Sequence, residues 1–295
     1  MPNGILIVDK PAGWTSQDVA AKLRGVFHEK RVGHGGTLDP MATGVLPIFL
    51  GRATRAVPFF EHADKVYEAV LRLGMVTDTQ DSTGRVLEEH SVDITREQLE
   101  AILPRFRGEI RQIPPMYSAV KVNGQKLYAL ARKGQEVERE PRTVVIHELT
   151  LLDRDQSQSS ILNSQFALHI HCSKGTYVRT LCHDMGAALG CGGCMAALRR
   201  TRAGRYDIAQ AHPLDEILAD PDPERFLLPI DSLFADRPRC AINEAGEKKL
   251  RNGASLRTGK LADGEYRVYG PGGDFLALCA VSSGELRAIK SFFEP

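Results

Sequence analysis

The placement of strand-like and helix-like runs constrains this chain most. Short runs rich in β-branched and apolar residues occur at Ile5–Val8, Lys65–Leu73, Val144–Leu152 and Phe166–Cys172. Helical spacing follows only some of them. Thr15 or Ser16 is placed to cap a helix with Val19, Leu23, Val26 and Phe27 on one face. Thr95-Arg96-Glu97-Gln98 fits a capping box ahead of Leu99, Ile102, Leu103 and Phe106. Tyr177 to Leu189 reads as a third helix, entered through Ser173-Lys174-Gly175-Thr176. A doubly wound fold needs strands and helices in regular alternation, and that is missing. The expectation is an α+β chain around a central mixed or antiparallel sheet.

Between these runs, Arg31 to Pro47 holds four glycines and two prolines and reads as a structured loop. Asp155 to Ser164 reads as a polar insert joining strands. Past Arg237-Pro238, strand-like pieces are separated by turn signals at Asn252-Gly253, Asp263-Gly264 and Gly270-Pro271-Gly272-Gly273. A β-rich appendage of about 60 residues is at the lower limit for an independent core. The expected division is therefore a large domain over residues 1–233 and a small one over 234–295.

At 295 residues, with 42% apolar and 25% charged residues, the chain can bury a large core without covalent staples. Its net charge of +1 says little, but the basic residues are clustered. Arg199, Arg200, Arg202 and Arg205 form one group. Lys121, Lys126, Arg132, Lys133, Arg139 and Arg142 form a second, and Lys248, Lys249, Arg251, Arg257 and Lys260 a third. One such cluster is an ordinary solvated face, whereas three on one fold can follow a phosphate backbone. Six cysteines without a secretory leader suggest reduced thiols and a cytoplasmic protein. No run approaches the roughly 18 apolar residues of a membrane span.

The densest chemical candidate is Gly33-His34-Gly35-Gly36-Thr37-Leu38-Asp39-Pro40-Met41-Ala42-Thr43-Gly44. Its glycines allow close backbone approach, and Pro40 fixes the backbone beside an acid. It has neither the phosphate-binding Gly-Lys-Ser/Thr nor the dinucleotide fingerprint. Taken alone, Asp39 could equally be the cap of a following helix.

The spacing Gly33-His34-x-Gly36-x-Leu38-Asp39-Pro40-x-Ala42-x-Gly44-x-Leu46 resembles the catalytic aspartate motif of the TruB family of pseudouridine synthases. Asp9-Lys10-Pro11-x-Gly13-x-Thr15-Ser16 resembles the family's opening motif, and Lys65-x-Tyr67 its tyrosine motif. Thr77-Asp78-Thr79-x-Asp81-x-x-Gly84, Pro114-Pro115-x-Tyr117-Ser118-Ala119-x-Lys121, Lys174-Gly175-Thr176-Tyr177-Val178-Arg179-Thr180-Leu181 and Leu198-Arg199-Arg200 follow in the family's order.

The resemblance implies a tRNA pseudouridine-55 synthase that flips a T-loop uridine, cuts the base from its ribose, and rejoins it through carbon five. It implies Asp39 as the catalytic carboxylate and Arg179 as the cation keeping it ionised. Tyr67 would be the stacking partner of the extruded base. His34, Tyr177, Leu198 and Lys10 would line or support the pocket. Tyr117 and Lys121, with Lys126 and Arg132, would belong to an RNA-gripping insertion over about residues 114–140, and residues 234–295 would form a PUA-like RNA-binding domain. The expected partner is the T arm of tRNA, bound by a monomer with no cofactor, no metal and no membrane. The alternatives are a non-catalytic tRNA-binding chaperone, a guide-RNA-directed synthase subunit and an aspartate-dependent hydrolase.

Some apparent motifs are set aside. Cys191-Gly192-Gly193-Cys194 lacks a second ligand pair at zinc spacing, and His169 with His171 does not supply one. Asp78 and Asp81 fail the EF-hand spacing. Trp14 reads as a packing residue.

Overall fold

The computed structural model describes residues 2–122, 124–153, 164–259 and 261–294. Lys260 and nearly all of the Asp155 to Ser164 insert fall outside the described residues. The larger sheet is built from β1 (Gly4–Lys10), β2 (Val32–His34), β3 (Thr43–Leu50), β4 (Lys65–Leu73), β5 (Gly108–Gln112), β6 (Arg142–Leu151), β7 (Gln165–Cys172), β8 (Gly193–Ala203), β9 (Tyr206–Asp207) and β10 (His212–Pro213). Their order is β10-β1-β3-β8-β4-β7-β6-β5, with β2 paired to β3 and β9 to β8. The β3–β8 and β10–β1 pairs are parallel and the others antiparallel, so the sheet is mixed as expected.

The unbroken apolar run of β1 has a physical reason: both of its faces are covered. On one side Leu6 and Val8 join a core with Val19, Ala20 and Leu23 of α1 (Ser16–Val26), and with Leu181 and Met185 of a later helix. On the other side Ile5 and Ile7 pack with Phe49, Phe60, Tyr206 and Phe234. Thr15 caps α1 and closes a capping box with Asp18. The anticipated box at Thr95 and Gln98 opens α2 (Arg96–Ile102). The later helix is α3 (Val178–Ala188), which packs along β8.

One expectation needs correcting. Arg31 to Pro47 is not all loop, since β2 and much of β3 fall within it. Pro47 sits opposite Ile7 inside the sheet, and its carbonyl accepts the Gly35 N–H at 2.8 Å. A proline normally argues against an interior strand because it cannot donate to the ladder. The stretch through the first basic cluster forms the long interior strand β8.

The smaller sheet joins β11 (Arg239–Ala241), β12 (Leu256–Arg257), β13 (Gly264–Tyr269), β14 (Phe275–Ser282) and β15 (Glu285–Ser291), in the order β11-β13-β14-β15-β12. It has its own core of Leu250, Val268, Leu276, Cys279 and Leu286. Leu278 and Phe292 instead enter the core behind β1 and β3. Burying a side chain such as Phe292 contributes about 1.5–3 kcal/mol, so this β-rich unit gains stability from the larger sheet. Among the described residues no helix is long and apolar enough to cross a membrane.

Candidate active site

The segment bearing Asp39 leaves β2 and returns as β3. Its backbone carbonyls are held one after another. Gly36 O and Thr37 O accept from the Arg200 guanidinium at 3.2 and 3.4 Å. Leu38 O accepts from the Ser16 hydroxyl at 3.2 Å, and the Leu38 N–H donates back to that hydroxyl at 2.8 Å. Asp39 O accepts from the Ala42 N–H at 3.0 Å, and Pro40 O from the Gly13 N–H at 2.8 Å. Lys10 Nζ also reaches Pro40 O, at 3.3 Å, while holding Trp14 O at 2.6 Å and Pro11 O at 2.9 Å. A loop so fully bonded gives its side chain a fixed base.

Gly44 is required by this arrangement. It lies across from Lys10 on β1 and from Arg200 on β8, with φ of +102°. A Cβ there would stand 2.2 Å from the Arg200 carbonyl oxygen. Arg200 is fully buried and donates a further bond from Nε to Val45 O at 2.7 Å. It therefore is not part of a phosphate-tracking surface. Arg199 is occupied as well, gripping both Asp9 oxygens at 3.1 and 2.7 Å, and Arg205 pairs with Asp236. The first basic cluster is thus largely structural.

Arg179 enters from α3 on the open side of the loop. Its Nε lies 2.9 Å from Asp39 Oδ2, and its Nη2 3.4 Å from Oδ1. The same guanidinium donates to Thr79 O at 3.1 Å and Tyr117 O at 2.9 Å, and pairs with Asp81 Oδ2 at 3.5 Å. Arg179 is buried, whereas about a third of the Asp39 side chain (34%) remains exposed. The carboxylate therefore has one face gripped and another free.

Arg179 lowers the Asp39 pKa, but burial carries the net direction upward. Burial raises that pKa; Arg179 opposes it, Asp81 adds to the rise, and Lys10 again opposes. Desolvation is the largest of these effects, and the like charge of Asp81 acts in the same direction. Lys10, fully buried, is pushed down to about 8, chiefly by burial, with Asp39 acting in the other direction.

Tyr67 lies on β4 between Ile170 and Arg200 in the sheet register. It is buried in the core cluster that also holds Leu38, Val178 and Leu198. Burial raises its phenol pKa above the ordinary 10.0, so the hydroxyl stays protonated near neutral pH. Leu198 faces the same core from β8. His34 ends β2; its Nδ1 is buried without a partner among the described residues. Burial, followed by the Arg200 charge, lowers its pKa and favours the neutral ring.

Tyr177 immediately precedes α3 and is half-buried. Gln112 at the end of β5 grips its backbone from both sides, accepting its N–H at 3.0 Å and donating to its carbonyl at 3.2 Å. Tyr117 meets Arg179 through its carbonyl. Lys121 stands apart: it is exposed on a two-strand hairpin, opposite Lys126. Nearby, Lys126 and Arg132 each lie 5.4 Å from the Tyr128 ring centroid.

Two contributors were not singled out from sequence. Asp81 is buried, accepts from Thr83 N–H and Oγ1 and from Thr79 Oγ1, and shares Arg179 with Asp39. Its signal was the Thr77-Asp78-Thr79-x-Asp81 run, noted as a motif without a role for the acid. Arg200 was noted only within the Leu198-Arg199-Arg200 motif and the arginine cluster, with no role of its own.

Comparisons with known proteins show the family to which the chain belongs. Residues 24–178 match the model of the TruB family pseudouridylate synthase (N terminal domain). Residues 179–235 match that of the tRNA pseudouridylate synthase B C-terminal domain. The chain belongs to the TruB family of pseudouridylate synthases. A protein of Azoarcus sp. (strain BH72) named tRNA pseudouridine synthase B is 45% identical over 287 residues, covering 97% of this chain and 93% of its own. One of the same name from Syntrophomonas wolfei is 44% identical, covering 95% and 94%. A chain from a Cbf5-Nop10-Gar1 complex matches the fold with a TM-score of 0.72 at 24% identity, covering 99% of this chain and 85% of the other.

Proposed function

We propose that this chain is a tRNA pseudouridine-55 synthase in which Asp39 acts on a uridine flipped out of the T loop. The observation that carries the role of Asp39 is its half-open carboxylate, on a fully bonded loop, gripped by a buried guanidinium. Membership of the family, with relatives named tRNA pseudouridine synthase B, supports the activity.

The reaction breaks the bond from ribose C1′ to uracil N1 and forms one from C1′ to C5. C5 loses a proton and N1 gains one, so there is no net redox change. Attack on the sugar, attack on the ring and removal of a sugar proton all require Asp39 as the anion. Arg179 opposes the burial that favours the neutral acid, and it orients the carboxylate through two contacts. Extruding the base costs a few kcal/mol, which stacking in a closed pocket offsets. Tyr67 serves as the stacking face, with Leu198 and Tyr177 as walls and His34 as a neutral contact to the RNA.

Residues 1–233 act as the catalytic domain and residues 234–295 as a PUA-like RNA-binding domain. The insertion at about 114–140, with Tyr117, Lys121, Lys126 and Arg132, closes over the T arm. RNA loops are read largely by shape, phosphates and extruded bases, which suits such a divided surface. The enzyme works as a cytoplasmic monomer without an organic cofactor. The test is position-by-position mapping of pseudouridine in an unmodified tRNA transcript treated with the full chain. Modification confined to the T-loop uridine is the expected result; folded protein that binds the transcript and modifies nothing would contradict it.

A further inference from the structure

On the far side of the sheet from Asp39 there is a second convergence of chemically capable groups. His171 lies on β7 next to Ile170, and the two point to opposite faces. Ile170 enters the core with Tyr67, leaving His171 on the outer face. His147 comes from β6 at a register shift between Ile146 and Glu148, which turns the extra residue outward beside His171. The two imidazole centroids are 4.8 Å apart. Asp64, just before β4, brings its Oδ2 to 3.4 Å from His147 Nε2 and 3.9 Å from His171 Nε2.

We propose that Asp64, His147 and His171 form a binding site for a borderline divalent transition metal such as zinc, cobalt or nickel. One ligand atom from each of the three lies within 4.8 Å of the others. Metal bonds of about 2.0–2.2 Å place ligand atoms roughly 3–3.6 Å apart, so small side-chain adjustments close the set. Two imidazoles and a carboxylate suit these ions better than calcium or magnesium, which prefer oxygen alone. All three side chains are partly exposed, leaving room for water to complete the coordination.

Two charged neighbours bear on the site. Arg202 Nη2 lies 3.5 Å from His171 Nε2, but its side chain is exposed and free to swing away as an ion enters. Glu148 is opposite His171 in the sheet and adds negative charge at the rim. The cluster differs from the Cys191, Cys194, His169 and His171 grouping set aside in the sequence, because only strand register brings its members together. A bound ion would tie the entry to β4 against the β6–β7 hairpin.

The test is titration of the metal-stripped full-length chain with zinc chloride and with cobalt(II) chloride, followed by calorimetry and visible absorption. Wild type should bind one equivalent at micromolar concentration, with its thermal midpoint raised by zinc. His147→Ala and His171→Ala should each weaken binding at least tenfold and abolish that rise, while retaining the wild-type circular dichroism spectrum. No saturable binding by wild type up to 100 micromolar, or binding of unchanged affinity in both variants, would overturn the proposal. The latter outcome would assign the metal to other groups, such as the cysteines.

Discussion

Arg179 Nε lies 2.9 Å from Asp39 Oδ2 while the same guanidinium reaches Asp81 Oδ2 at 3.5 Å, so one buried cation serves two carboxylates. It also holds Thr79 O and Tyr117 O, joining three loops around the exposed face of Asp39. Removing it would leave two acids without their cation and two carbonyls without a donor. Lysine retains the charge but lacks the planar fork. Arg179→Lys should lower kcat by about 10²–10³-fold, with a smaller change in tRNA affinity, in single-turnover assays with binding measured in parallel. Arg179→Met should also destabilise the fold by about 3–5 kcal/mol in urea denaturation.

The pH profile should carry the mark of the same pair. Burial holds the Asp39 pKa above its ordinary 3.8, and catalysis needs the anion. Activity should therefore fall on acidification at a higher pH than for an ordinary aspartate. Asp81→Asn removes a charge that raises this pKa and should move the acid limb down; Arg179→Met should move it up. The stability linkage has the opposite slope. The folded chain binds the Asp39 proton more tightly than the unfolded chain, so this group's contribution falls as pH rises from about 3.8 through the folded value. Asp39→Asn should remove that component from a pH series of denaturation curves.

Gly44 separates backbone strain from crowding. Its φ of +102° and the 2.2 Å approach of the Arg200 carbonyl leave no room for a methyl group. Gly44→Ala should cost at least about 2 kcal/mol, a fall of roughly 4–8 °C in Tm. Gly13 has φ of +85° with nothing within 4 Å of an added Cβ, so Gly13→Ala should cost less. Equal losses in calorimetry would contradict the crowding argument.

Arg200 holds the catalytic loop from beneath. Arg200→Met keeps the apolar stem but leaves Val45 O, Thr37 O and Gly36 O without their buried donor. Several kcal/mol of stability should be lost, since each unsatisfied buried group costs about 1–3 kcal/mol. Hydrogen exchange should show the 36–40 segment opening more readily than β1 or β4.

Much of this was legible along the chain because the signals were local. The Thr95–Gln98 capping box and the strand at Lys65–Leu73 depend on residues within a few positions of one another. Asp39 stood out because glycines and a proline surround it. The hidden parts depend on distant pairing. Pro47 disguised an interior strand whose carbonyl alone was needed there. Arg200 looked like one more surface cation until β8 carried it beneath the loop. Asp81 gained its meaning from Arg179, 98 positions later, and His147 met His171 through a bulge that no spacing rule announces.

The central claim is that the ionised Asp39 carboxylate performs the chemistry. Asp39→Asn keeps the shape and removes the charge, so the most direct measurement compares pseudouridine formation at the T-loop uridine by wild type and this variant, with tRNA affinity and folding measured on the same samples. The account predicts that the variant folds, binds tRNA with near wild-type affinity and forms no pseudouridine above background. A folded variant that still modified the uridine at a comparable rate would contradict it.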